Sequence, residues 1–171
     1  PLLRKDFIIH PAQVWQSRLA GADAALLIAA ALSQEQLSAL LAAFNEARLD
    51  VLLEVHNEEE LHKAAAALTS FYSAAEIKIN TMLGINNRNL STFAVDLQTT
   101  QRLAAAIRQR FADNPLLSST VIVSESGIAA SADMRQLAEF GASAFLIGES
   151  LTAAGEPGVN LARLIADFRG P

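Results

Sequence analysis

Three observations in the sequence predict a parallel α/β fold. Helical patterns alternate with short apolar runs along the whole chain, with no linker or low-complexity tract between them. Strict alternation of this kind builds a parallel sheet covered by helices. The apolar runs are short and uniformly apolar, as in ALLI at 25–28 and AFLI at 144–147, which is how strands buried on both faces read. Finally, one unit is visibly repeated, in GADAALLIAA from Gly21 and GASAFLIGES from Gly141. In both, a helical pattern ends at a glycine suited to the left-handed residue that closes a helix, and an apolar run follows.

The elements follow in order. Leu2–Leu3 reads as the end of a strand. Pro11 to Ala20 reads as a helix, with proline at its first position and Gly21 at its close. A strand over Ala24–Ile28 leads to a helix over Ser33–Arg48, opened by a capping box of Ser33 and Gln36. Val51–Val55 is a strand. Asn57 and Glu60 open a helix reaching about Leu68. Ile77, Ile79, Leu83 and Ile85 alternate, predicting a strand up to Asn86. Helices over Leu97–Phe111, Ser131–Phe140 and Leu161–Phe168 and strands over Val121–Val123 and Ala144–Ile147 complete the chain. This makes about six βα units in one domain spanning residues 1–171. Two architectures fit: an open doubly wound sheet and a (β/α)8 barrel. No dinucleotide-binding glycine fingerprint or P-loop supports the open sheet. A barrel takes about 30 residues per unit, so six units need roughly 180 and two would be missing.

Composition narrows the function. The 171 residues are 51% hydrophobic and 18% charged, as in a globular domain. The net charge of -5 and the lack of any Lys/Arg cluster argue against nucleic-acid and anionic-membrane partners. There is no cysteine, which excludes disulfides, a thiol nucleophile and a Cys-ligated zinc. No apolar run approaches the ~18 residues that span a bilayer, and no signal peptide is evident. A soluble, cytoplasmic protein is expected. His10, His56 and His62 lack metal-ligand spacing, so no metal is expected, and Trp15 and Phe93 are read as packing residues.

Polar residues gather where the strands end. Lys5 follows the first strand, Glu54 lies inside LLEVH, and Asn86 and Arg88 close GINNR. Glu125, Ser126 and Gly127 end VIVSESG, and Gly148 and Glu149 end FLIGE. In barrels and open sheets alike, ligands bind outside the carboxyl ends of parallel strands. Each residue also has a plainer reading. Lys5 reads as a surface lysine paired with Asp6, Glu54 as half of a structural salt bridge, Asn86 and Asn87 as turn formers, and the glycines as punctuation. Gly127 and Gly148 leave room for a ligand at the backbone. If they close strands seven and eight of a barrel, Leu2–Leu3 belongs to strand three, in agreement with the length.

The segments LLRKDFI, ADAALLIAAALS, LLEVHNEEEL, GINNRNL, VSESGI and LIGESL, in this order, resemble the indole-3-glycerol phosphate synthases. The resemblance implies a (β/α)8 TIM barrel, present here as strands three to eight. It implies a decarboxylating carbon-carbon lyase of tryptophan biosynthesis that needs no cofactor. Its phosphorylated substrate, 1-(2-carboxyphenylamino)-1-deoxyribulose 5-phosphate, is ring-closed with loss of CO2 and water. By the same resemblance Lys5 is the general acid at the substrate carbonyl, Glu54 transfers a proton in the later dehydration, and Asn86 orients that glutamate and the substrate. Phe7 and Leu26 contact the anthranilate ring, and Arg88 faces its carboxylate. Ser126 and Gly127, with Gly148 and Glu149, serve the substrate and phosphate loops.

Two departures from the family pattern stand out. Nothing matches its first-strand Glu-x-Lys and Ser-Pro-Ser, since Lys5, Lys63 and Lys78 are the only lysines. The expectation is that an N-terminal barrel segment is missing as an intramolecular partner, and that the chain alone lacks turnover. TSFYSAAEIKIN, at 69–80, also replaces a short Ala-Gly-Ala type link, with Tyr72 placed to pack it onto the helices. The competing readings are another phosphate-binding barrel, such as a phosphosugar-amine isomerase, and a non-catalytic sub-barrel whose exposed strand edges would favour association.

Overall fold

The computed structural model describes residues 1–74, 76–153 and 155–170. Six strands, β1 (Leu3–Arg4), β2 (Ala24–Ile28), β3 (Asp50–Val55), β4 (Thr81–Asn86), β5 (Val121–Glu125) and β6 (Ala144–Leu146), form one sheet. Their spatial order is their sequence order, and every pairing is parallel. The intervening helices are α1 (Pro11–Leu19), α2 (Gln34–Ala47), α3 (Glu58–Ala74), α4 (Gln98–Arg110), α5 (Pro115–Ser118), α6 (Ser131–Phe140), α7 (Glu149–Thr152) and α8 (Pro157–Arg169).

The core shows on which side the helices lie. The larger cluster joins Leu27, Leu53, Leu83 and Ile122 of the strands to helical residues such as Val14, Phe44, Leu61, Leu103, Leu137 and Leu164. The smaller joins Leu26, Ile28, Leu52 and Val123, with Leu3, Met82, Ala144 and Leu146 against it, and draws on strands alone. Side chains alternate across a sheet with period two, so these are its two faces. Helices therefore cover one face, and among the described residues the core of the other is built from strands. A doubly wound sheet has helices on both faces and an interrupted strand order. Sequential order with one-sided helices is the wall of a (β/α)8 barrel, here six strands of it. β1 and β6 each pair with a single neighbour among the described strands.

Local chemistry explains the helix starts. Ser33 and Gln36 make the expected reciprocal box, with Gln36 N–H donating to Ser33 Oγ at 3.2 Å and Ser33 N–H to Gln36 Oε1 at 2.8 Å. His10 is itself the N-cap of α1, its Nδ1 accepting from Ala12 N–H. Gly21 and Gly141 both have positive φ, 87° and 111°, as closing glycines require.

The segment at 69–80 departs from its expected form. The helix does not stop near Leu68 but runs to Ala74, because Phe71 continues the buried stripe of Leu61, Ala64, Ala65 and Leu68. Tyr72 is a helical residue and ties α3 to the next strand through Thr81 Oγ1 at 2.7 Å. Ala75 lies outside the described residues. The strand begins at Thr81 and not at Ile77. Ile77 and Ile79 still pack on the core, but the backbone at 76–78 bonds to a side chain, and contact with the neighbouring strand begins only at Asn80, whose carbonyl accepts from Val51 N–H at 3.0 Å. Asn45 Nδ2 donates to Glu76 O, and Asn45 Oδ1 accepts from Lys78 N–H. Alternation without a partner strand produced the wrong boundary. Trp15 and Phe93 are exposed and not packing residues.

Candidate active site

The strand-only face carries the polar residues of the site. Register aligns Ile28, Glu54, Gly84, Val123 and Ala144 in one row, and Asn86, Glu125 and Leu146 in the row nearer the strand ends. Lys5 lies just past β1, two residues beyond Leu3, and continues the inward alternation. Its ammonium stands between two carboxylates, with Nζ 3.4 Å from Glu54 Oε2 and 3.2 Å from Glu125 Oε2. The plainer reading of Lys5 fails, since Asp6 pairs with Arg4 at 2.8 Å.

The three groups differ in access to solvent. The Lys5 side chain is 46% exposed, while those of Glu54 and Glu125 are 2% and 1% exposed. Burial penalises the Lys5 ammonium, yet the charges of Glu125 and Glu54 outweigh it and raise the pKa above its ordinary 10.5. Burial also opposes ionisation of Glu54, but His56, Lys5 and Asn86 reverse that and lower its pKa to about 2. At Glu125 burial dominates, the Glu54 charge adds to it, and Lys5 only partly compensates, so the carboxyl is raised to about 7. Two adjacent carboxyls with pKa values pushed apart are suited to different tasks. Glu54 is a fixed anion, and Glu125 exchanges its proton near neutrality. The 3.2 Å contact of Lys5 with Glu125 Oε2 is an ion pair.

Gly84 makes this arrangement possible. A Cβ there would lie 2.1 Å from Glu125 Oε1 and 3.3 Å from Leu52 Cδ1. The carboxylate occupies the space where any other residue would place its side chain.

A cleft of about 740 Å³ opens at the strand ends and includes Lys5, Arg88, Glu125, Ser126, Gly148 and Glu149 in its lining, with Gly127 beside Ser126. Glu54, Asn86 and Leu26 are buried beneath this mouth, and Phe7 is 61% exposed beside β1. Arg88 does not stand free: its Nη2 meets Glu149 Oε2 at 2.6 Å, bringing the carboxyl ends of β4 and β6 together. Ser126 and Gly127 are both left-handed, with φ 66° and 78°. The space beside Gly127 is taken by Val95, whose Cγ1 is 2.3 Å from where a Cβ would sit, whereas Gly148 has nothing within 4 Å of that position. Of the two glycines, only Gly148 is open in the way expected of both.

In the sequence Glu125 reads only as a strand-end group, with no role assigned. Its signal was available, because Val123 and Glu125 repeat the alternation of Leu52 and Glu54. Asn87 is not a mere turn former. Its Nδ2 donates to Ser124 Oγ at 3.0 Å, Glu125 O at 3.0 Å and Ser126 O at 3.2 Å. Its Oδ1 accepts from the N–H and Oγ1 of Thr100. This buried network locks β4, β5 and the start of α4 into one rigid floor. No sequence pattern announces it, because Thr100 and Ser124 are distant in the chain.

A one-sided parallel βα sheet with its strands in sequential order defines the (β/α)8-barrel class of fold. Residues 1–164 match the family described as Indole-3-glycerol phosphate synthase, and the chain belongs to that family. The Indole-3-glycerol phosphate synthase of Magnetococcus marinus is 43% identical over 165 residues, covering 96% of this chain and 54% of that protein. That of Polynucleobacter asymbioticus is 42% identical, covering 97% of this chain and 55% of its own length. The chain thus spans about half the length of these curated relatives. Among solved structures, a mandelate oxidase mutant superposes with a TM-score of 0.65 at 18% identity, over 97% of this chain and 57% of that one. Orotidine 5'-monophosphate decarboxylase from Sulfolobus solfataricus superposes with a TM-score of 0.62 at 14% identity, over 95% and 70%. These two likenesses support the fold alone. Among the described residues no helix is long and apolar enough to cross a membrane.

Proposed function

We propose that residues 1–171 are the third to eighth βα units of an indole-3-glycerol phosphate synthase, and that two N-terminal units complete the wall between β6 and β1. The complete barrel converts 1-(2-carboxyphenylamino)-1-deoxyribulose 5-phosphate to indole-3-glycerol phosphate in the cytoplasm. The carboxyl group leaves as CO2, and the former carbonyl oxygen leaves as water. The observation that carries this reading is the Lys5 ammonium between Glu54 and Glu125 at the mouth of the strand-only face.

Lys5 donates a proton to the carbonyl oxygen, making its carbon electrophilic toward the aromatic ring. Glu54 transfers a proton in the dehydration, with Asn86 beside it as orienting group. Glu125 joins this set, since a carboxyl with a pKa of about 7 exchanges protons at neutral pH. Arg88, released from Glu149, receives the anthranilate carboxylate in its bidentate fork. Phe7 and Leu26 form the apolar bed of the aromatic ring. Ser126, Gly127, Gly148 and Glu149 present hydroxyl and backbone N–H groups to the substrate and its phosphate. The mechanism asks for no metal or organic cofactor.

The test is completion of the barrel. The first two βα units of the Magnetococcus marinus relative are fused ahead of Pro1, and indole-3-glycerol phosphate formation is followed by fluorescence. Turnover is expected from the fusion and not from the chain alone, and Lys5→Met is expected to abolish it. A folded fusion without turnover, or a Lys5→Met fusion as active as its parent, overturns the proposal.

A further inference from the structure

His56 lies outside every role considered above, yet it is the inner neighbour of Glu54. It follows β3 directly and points both ring nitrogens at carboxylates. Nε2 is 3.2 Å from Glu54 Oε1, and Nδ1 is 3.0 Å from Glu60 Oε2. Glu60 is itself held from two sides. The His56 N–H donates to its Oε2 at 2.8 Å, and Asn57 Nδ2 donates to its Oε1 at 2.7 Å. Asn57 in turn accepts from the Glu60 N–H at 2.9 Å, in the first turn of α3. A continuous polar chain therefore runs from the start of α3 to the centre of the site.

The chain treats the two oxygens of Glu54 differently. Oε1 faces the His56 ring, and Oε2 faces Lys5. His56 and Glu60 are nearly as buried as Glu54, with side chains 10% and 13% exposed. His56 Nε2 is fully buried and has no aligned hydrogen bond among the described residues. At 3.2 Å, Glu54 Oε1 is the carboxylate oxygen this nitrogen faces.

We propose that His56 is a positioning residue: clamped by Glu60, it fixes the carboxylate plane of Glu54 through Oε1 and leaves Oε2 to Lys5 and the substrate. The inference rests on the reading of Glu54 as a proton-transfer group. It assigns the EVHNEEE segment a second task beyond capping a helix.

Electrostatics agree with the geometry. The charged groups that face the ring are Glu54 from β3 and Glu60 from α3, and those that face Glu54 across the sheet are Lys5 and Glu125. Burial lowers the His56 pKa, but the two carboxylates outweigh it and raise it to about 9. The ring is therefore cationic at neutral pH, and this cation keeps Glu54 ionised in a buried site. A metal-binding reading is disfavoured, because the two carboxylates meet opposite sides of the ring and do not converge on one point. Among the described residues, no His/Cys/Asp/Glu group is placed to hold a metal.

The experiment combines titration and kinetics. The carboxyl carbon of Glu54, assigned with Glu54→Gln, is titrated by 13C NMR in the parent chain, in His56→Gln and in Glu60→Gln. Glu54 is expected to stay ionised far below the ordinary carboxyl range in the parent. His56→Gln is expected to raise its midpoint by about one pH unit or more, and Glu60→Gln to shift it the same way by less. The Glu60 variant leaves the ring in place, so it tests the relay even if His56→Gln unfolds. In the completed barrel, His56→Gln is expected to lower kcat about tenfold and move its acid limb upward, with KM nearly unchanged. An unchanged Glu54 titration in both variants overturns the inference, as does a loss confined to KM. If the NMR coupling is present and the completed barrel is inactive, the synthase reading fails while the clamp stands. If the barrel is active and His56→Gln leaves kcat and its pH profile intact, the clamp fails while the synthase reading stands.

Discussion

Replacing Glu125 by glutamine removes a carboxyl that the fold prefers to keep protonated, while preserving its size against Gly84. In the unfolded chain this group titrates near 4.5, and in the folded protein near 7. Its folded pKa is the higher, so the fold favours the protonated form. The associated stability is fully present below pH 4.5 and is lost as pH rises through 7. At about 1.4 kcal/mol per pH unit, ionising Glu125 in place costs roughly 3 kcal/mol by about pH 8. The attraction of Lys5 is already contained in the value near 7. Glutamine does not titrate, so Glu125→Gln is expected to gain stability relative to the parent by roughly 3 kcal/mol between about pH 4 and pH 8. Urea unfolding at several pH values measures this, provided the slopes of the two proteins agree. A stability difference that is flat across that range, or that moves toward the parent as pH rises, refutes the reasoning about this carboxyl.

Three further outcomes follow from the same geometry. Gly84→Ala forces a methyl group onto Glu125 Oε1, and urea unfolding should show a loss of about 1–3 kcal/mol, smaller when Glu125→Ala is also present. Asn87→Ala removes five side-chain hydrogen bonds from a buried network and leaves Ser126 O without its donor, while Thr100 and Ser124 keep each other and Glu125 O keeps the N–H of residue 87, so it should cost about 2 kcal/mol of unfolding free energy, against under about 1 kcal/mol for Asn89→Ala at the surface. Phe7→Ala should leave stability within about 0.5 kcal/mol, because the ring is exposed, and should raise KM in the completed barrel. Equal losses from Phe7→Ala and Asn87→Ala would contradict the packing described here.

Much of the site was legible in the sequence because strand ends are local features. An apolar run that stops at Lys5, Glu54, Asn86 or Ser126 announces a polar group at the mouth of a parallel sheet, whatever the rest of the fold does. The repeated Gly21 and Gly141 units gave the alternation for the same reason. In sequence Glu125 is only one more strand-end carboxylate, because such a group becomes unusual only when another carboxylate and a lysine stand near it. In sequence, His56 reads as a histidine without ligand spacing and Asn87 as a turn former. Their partners, Glu54, Glu60, Thr100 and Ser124, are chosen by register and helix packing.

The sequence alone determined the alternating elements, the caps at Ser33 and Asn57, and the presence of polar groups at the strand ends, since these rest on periodicity and short-range hydrogen bonding. Only the tertiary structure decided that helices cover one face of the sheet and that α3 outruns its expected end. It alone set two buried carboxylates, one ionised and one near neutrality, around a single lysine. A pKa is set by charge and burial in three dimensions, and residues as distant in the chain as Lys5, Glu54 and Glu125 acquire theirs only when parallel register brings them within a few ångströms.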